Sequence, residues 1–159
     1  MSIKKANLFF KQKKFKKAIK IYKKYVSKKI STQEKCINLN EIGLCYFNLK
    51  QYNEALLYFE KSLSLYKIDD VYCNAGSCLT ILKLYEKAID YYNKALSIKK
   101  TFRGFRSIGS IYFYKKMYST SIDYYKQAIE INNNPEILYD LSFACLASKN
   151  FSQGFKIYE

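Results

Sequence analysis

The feature that most constrains this chain is that it repeats itself. A lysine followed two residues later by an aromatic returns at Lys13–Phe15, Lys50–Tyr52, Lys83–Tyr85, Lys116–Tyr118 and Lys149–Phe151, and successive lysines stand 37, 33, 33 and 33 residues apart. Three residues after each aromatic comes a small side chain, at Ala18, Ala55, Ala88, Ser121 and Gly154. Four residues further comes another aromatic, at Tyr22, Phe59, Tyr92, Tyr125 and Tyr158. A second small column runs through Ala6, Gly43, Gly76, Gly109 and Ser142. A fixed period of this length marks a solenoid, in which each unit buries its apolar face only against its neighbours. Such stacks usually present a surface to a partner rather than perform chemistry.

Within a unit the apolar positions follow a helical period. Tyr72, Ala75, Gly76 and Leu79 define one face of a first helix, and Tyr85, Ala88, Ile89 and Tyr92 one face of a second. Leu82 to Leu84 is too short a link for anything but antiparallel neighbours. This reading predicts helices over 2–12, 15–29, 33–49, 53–66, 69–82, 86–99, 102–115, 119–131, 135–147 and 152–158. The recurring lysine falls at the end of each first helix, where its charge is expected to meet the exposed carbonyls. Short side chains let helices cross closely, so Gly76 and Ala88 are expected to meet inside one hairpin, with Ala95 and Ala128 receiving the following unit. The longer first step is taken up between Ser27 and Glu34, where Ser31-Thr32-Gln33-Glu34 has the form of a capping box. Asp69 and Asp70, the one acidic pair, read as the start of a helix.

Composition narrows the function. With one proline and five glycines the chain is neither a turn-rich sheet protein nor a disordered linker. It has no histidine, no glycine-rich phosphate loop and no clustered carboxylates, so it is read as a non-enzyme without cofactor or metal. No apolar run reaches membrane-spanning length, and the lysine-rich start is not followed by the apolar stretch of a signal peptide; the expected location is cytoplasmic. Cys36, Cys45, Cys73, Cys78 and Cys145 form no CxxC pair and read as core residues. Residues 1–35 carry thirteen lysines and one glutamate, which places most of the net charge of +15 in the first unit. Lysines surround an apolar face formed by Phe15, Ala18, Ile19, Tyr22 and Val26, an arrangement that suits RNA or anionic membrane as an alternative partner.

Taken together, the columns resemble the tetratricopeptide repeat along the whole chain. The pattern is carried by Gly43, Tyr46, Tyr52, Ala55 and Phe59, and again by Gly109, Tyr112, Tyr118, Ser121 and Tyr125. Leu39, Tyr72, Phe105 and Leu138 stand where the family often has tryptophan, Tyr25 stands where it expects alanine, and the usual proline late in the second helix is missing. The resemblance implies an all-α, right-handed superhelical solenoid of antiparallel helix pairs. About five units make one domain, at roughly 1–32, 33–68, 69–101, 102–134 and 135–159, with the last incomplete. No polar capping helix follows. Three alternatives stay open there: a fragment of a longer chain, a partner covering the end, or self-association through it. The run from Asn150 to Glu159 also resembles the last repeat before the catalytic domain of some bacterial repeat-bearing glycosyltransferases, which would make the chain an accessory region.

In this family the first helices line a concave groove that binds a peptide or helix of another protein. Carried onto this sequence, the groove positions are Asn7 and Phe10 in the first unit, with Lys11 beside them. Asn40, Leu44, Phe47 and Asn48 follow in the second, then Ser77 and Ile81 with Cys73 and Thr80. The fourth unit offers Arg103, Arg106, Ser110, Phe113 and Tyr114; the fifth offers Tyr139 and Phe143 with Leu146. Apolar anchors of an amphipathic helix or extended peptide would lie on the aromatics. Arg103 and Arg106 are expected to hold a carboxylate of the ligand.

Overall fold

The computed structural model of the chain describes residues 3–149 and Gly154. Among the described residues there are nine α-helices and no strand. They are α1 (Ile3–Lys11), α2 (Phe15–Val26), α3 (Thr32–Asn48), α4 (Tyr52–Leu63), α5 (Asp69–Ile81), α6 (Tyr85–Ile98), α7 (Phe102–Tyr114), α8 (Tyr118–Ile131) and α9 (Pro135–Ala147). The expected tenth helix, 152–158, and the run from Asn150 to Glu159 lie outside the described residues apart from Gly154, which is helical and buried. The largest departures from the expected ends are at α2 and α4. Each stops early at a serine, where Ser27 and Ser64 donate their hydroxyls to the carbonyls of Lys24 and Lys61 and so compete with another helical turn.

Helix starts follow local chemistry. Ser31 and Glu34 form the reciprocal capping box ahead of α3. Thr101 accepts from the Gly104 N–H, and Asn134 from the Glu136 N–H with Pro135 opening the helix. Asp69 and Asp70 occupy the first turn of α5, where carboxylates favour the positive end of the helix.

Helix ends place the lysine column in a backbone conformation that the sequence did not announce. Lys13, Lys50, Lys83, Lys116 and Lys149 all have positive φ, between 58° and 65°. Each lies one residue beyond its helix's C-cap, in the left-handed conformation that usually belongs to glycine. The Lys50 N–H donates to the Phe47 carbonyl at 2.9 Å and the Gln51 N–H to the Tyr46 carbonyl at 2.9 Å. The same pair of bonds recurs at Lys13–Lys14, Lys83–Leu84 and Lys116–Met117. This is the Schellman closure, which satisfies the last carbonyls through the backbone. The lysine column therefore marks a backbone reversal, and the aromatic two residues later opens the next helix.

The helices fall into two compact units, Met1–Leu84 with α1 to α5 and Tyr85–Glu159 with α6 to α9. In the first, Ala6, Ala18, Ile19, Ile21, Tyr22, Ile42 and Cys45 form a continuous core between α1, α2 and α3. In the second, Ile122, Tyr125, Ala128, Ile137, Leu141, Ala144 and Cys145 do so between α8 and α9. Ala128 thus receives the following helix as expected.

The glycine column adds an aromatic ring to the small-on-small contact. A Cβ on Gly43 would stand 2.5 Å from Phe59 Cε1, and one on Gly109 would stand 2.8 Å from the Tyr125 ring. In α3–α4 and α7–α8 the glycine of the first helix seats an aromatic ring of the second. The small residue of the second helix lies alongside: Ser121 donates its hydroxyl to the Gly109 carbonyl at 2.8 Å. All five cysteines are buried, and burial raises the Cys45 and Cys78 thiols to about 12, which keeps them protonated and inert.

Candidate functional site

In the first unit the expected groove positions lie on α1, α3 and α5. Asn7 accepts a hydrogen bond from the Tyr22 hydroxyl at 2.7 Å, and Phe10 packs edge-on against Phe15. These residues join Tyr22, Ile37, Asn38 and Glu41 around a recess of about 420 Å³ between α1 and α3. Asn38 donates to the Glu34 carbonyl at 2.6 Å. Burial raises the pKa of the Glu41 carboxyl, and that of the Tyr22 hydroxyl even more, with the Glu41 charge adding to the latter.

Asn40 and Asn74 meet across α3 and α5, with Asn74 Nδ2 donating to Asn40 Oδ1 at 3.2 Å. Asn48 donates to the Leu44 carbonyl and Ser77 to the Cys73 carbonyl, so both turn toward their own helices. Phe47 is half-buried, with its ring edge-on to Tyr52 at 5.4 Å. Ile81 is exposed.

In the second unit the groove positions converge more strongly. Ser110, Phe113 and Tyr114 from α7 meet Tyr139 and Phe143 from α9, with Tyr125 and Asp140, around a recess of about 180 Å³. Tyr139 and Phe143 lie one turn apart with ring centroids 4.6 Å from each other. Tyr114 is 69% exposed, Tyr139 51% and Phe143 43%, so three large rings share one surface with water. Tyr125 donates its hydroxyl to Ser110 Oγ at 3.1 Å from the floor of this recess. Phe113 is half-buried and packs against the unit's core and the Tyr118 ring.

The two arginines do not act as the expected pair of open cations. Arg106 Nε donates to Asp140 and its Nη1 to Glu136, each at 2.6 Å. Both carboxylates sit on α9, so the guanidinium ties α7 to α9. Arg103 is exposed at the start of α7. Sequence reasoning missed Asp140 and Glu136 as the partners. They lie 34 and 30 residues beyond Arg106, and the first of these separations is close to one repeat, which is the signal that could have found it.

Aromatic faces, amide groups and a bridged ion pair line the first helices, and among the described residues no group of three or more cysteines and carboxylates is placed to hold a metal ion. No helix of the described residues is long and apolar enough to cross a membrane.

The tetratricopeptide repeat family matches over residues 34–101 and again over residues 107–135. Among solved structures, MamA from Desulfovibrio magneticus RS-1 superposes with a TM-score of 0.83 at 16% identity, covering 96% of this chain and 86% of that one. The C-terminal part of a tetratricopeptide repeat-containing protein from Cytophaga hutchinsonii gives 0.85 at 21% identity, over 99% of this chain and 62% of that one. YrrB, described as a repeat protein with an unusual peptide-binding site, gives 0.73 at 17% identity, over 98% of this chain and 80% of that one. At these identities the likeness is one of fold. No curated protein sequence matches the chain.

Proposed function

The chain belongs to the tetratricopeptide repeat family, and from that premise we propose that it is a non-catalytic scaffold whose first helices bind a segment of another protein. The observation that carries this reading is the aromatic surface of the second unit. Tyr114, Tyr139 and Phe143 are exposed side by side around the recess that Ser110, Phe113 and Tyr125 floor. Aromatic rings left in water at one place, with a hydroxyl and a carboxylate at the edge, have the composition of an interface core with a polar rim. The ligand is an amphipathic helix or an extended peptide that sets an apolar side chain between the α7 and α9 rings. Asn7, Phe10 and Glu41 offer a second, more polar seat in the first unit.

The test compares the full chain with Tyr139→Ala/Phe143→Ala as bait against protein partners, followed by affinity measurement with each partner retained. Both rings are exposed, so the variant keeps its melting temperature and loses the partner. Retention of the same partners at the same affinity would reject this surface.

A further inference from the structure

A second recess of about 460 Å³ opens in the first unit away from the first-helix surface, between α2, α4 and one face of α3. Its floor is apolar, formed by Leu39, Ile42 and Leu65, and its rim carries Lys23, Lys35 and Lys61. Among the described residues no carboxylate lines it. Two of these cations are held in place by aromatic rings. Lys23 Nζ lies 5.3 Å from the ring centroids of both Tyr46 and Tyr58 and donates to the Tyr46 hydroxyl at 2.8 Å. Lys61 Nζ lies 5.1 Å from the Tyr58 ring. The rings are themselves stacked, at 5.4 Å and 19°.

A ring quadrupole attracts a cation without cancelling its charge. These ammonium groups are therefore positioned and keep their charge, beside an apolar cavity, in the unit that carries most of the net charge of +15. We propose that this recess binds an acidic segment of a partner protein that projects one apolar side chain between flanking carboxylates. The carboxylates meet the three lysines and the apolar group fills the floor, which matches charge and shape together.

A membrane surface fits less well. Leu39 is 6% and Ile42 0% exposed, so the apolar groups here are recessed, whereas insertion into lipid needs apolar groups that protrude. Nucleic acid would meet the rim lysines but has no apolar side chain to set into the recess. The site is separate from the first-helix surface, and neither reading depends on the other.

The experiment is fluorescence anisotropy at low salt on the full chain. The probe is a labelled peptide in which one phenylalanine is flanked on each side by two glutamates. Saturable binding is expected, weakened about tenfold or more by Lys23→Gln/Lys35→Gln/Lys61→Gln and by replacing the peptide phenylalanine with serine. A second triple variant, Lys16→Gln/Lys20→Gln/Lys87→Gln, removes the same charge elsewhere and is expected to bind within about threefold of the parent. Should the first variant melt early, Lys35→Gln makes the comparison alone, because Lys35 is an exposed residue of the rim. Absence of binding by the parent chain, or equal losses in the two triple variants, would overturn the proposal. So would phosphatidylserine vesicles or single-stranded RNA binding through these three lysines while the peptide does not.

Discussion

Gly43 sits so close beneath the ring of Phe59 that a methyl group on the glycine would stand 2.5 Å from Cε1 and 2.6 Å from Cδ1. Phe59 is fully buried and has nowhere to withdraw. Glycine in a helix interior normally costs about 0.5–1 kcal/mol relative to alanine, so its presence here reflects the ring rather than the helix. Gly43→Ala is therefore expected to destabilise, by about 1–3 kcal/mol through overpacking. Urea unfolding reads the sign directly. A gain in stability would mean that the ring is not seated on the glycine. The same substitution at Gly109, facing Tyr125, is expected to behave alike.

The left-handed lysines make a prediction of opposite sign. A non-glycine residue in that conformation carries a cost of about 1–2 kcal/mol. Lys50→Gly removes it and gives back part through a more flexible unfolded chain, so a net gain of about 0.5–1 kcal/mol is expected. Lys50→Val is expected to lose stability, because a branched side chain is still less tolerant of positive φ. If charge near the helix end were what mattered, both variants would destabilise to a similar degree.

Arg106 bridges α7 and α9 through Asp140, with side chains 32% and 24% exposed, and through the more exposed Glu136. Arg106→Gln is expected to cost about 1 kcal/mol, reduced in high salt. Asp140→Asn is expected to cost more than Glu136→Gln. A double-mutant cycle between Arg106 and Asp140 would give a coupling indistinguishable from zero if the bridge carried nothing.

Glu41 predicts a pH dependence. Burial raises its pKa above the ordinary 4.5, because the charged form loses solvation. The folded state therefore binds this proton more tightly than the unfolded chain does. The corresponding stability is fully present below the ordinary carboxylate value and is lost as pH rises through the raised one. Glu41→Gln is expected to melt higher than the parent at pH 7, with the difference shrinking as pH falls toward 4.5. A difference that is constant across this range would remove desolvation as the cause.

The helices and their pairing were legible in the sequence because the constraint is columnar. Ala18, Tyr22, Phe59 and Tyr125 each repeat a position whose neighbours are fixed by the repeat, so one hairpin reads for all. The lysine column was visible but its cause was not: lysine is abundant in this chain, and nothing in its identity announces a positive φ. Glycine at those places would have signalled the turn at once. The exposed aromatic cluster was half legible. Phe113, Tyr114, Tyr139 and Phe143 were expected on one surface, whereas the engagement of Arg106 by α9 depends on two helices a repeat apart. The basic recess was not legible at all, since Lys23, Tyr46 and Tyr58 come together only when α2, α3 and α4 are packed.

The central claim, that the aromatic face of the first helices holds a partner protein, is tested most directly by one affinity measurement. A partner captured by the full chain is titrated against the parent and against Tyr139→Ala/Phe143→Ala, with thermal melts of both. The account predicts binding weaker by about 2 kcal/mol or more with an unchanged melting temperature. Equal affinity for the parent and the variant would contradict it.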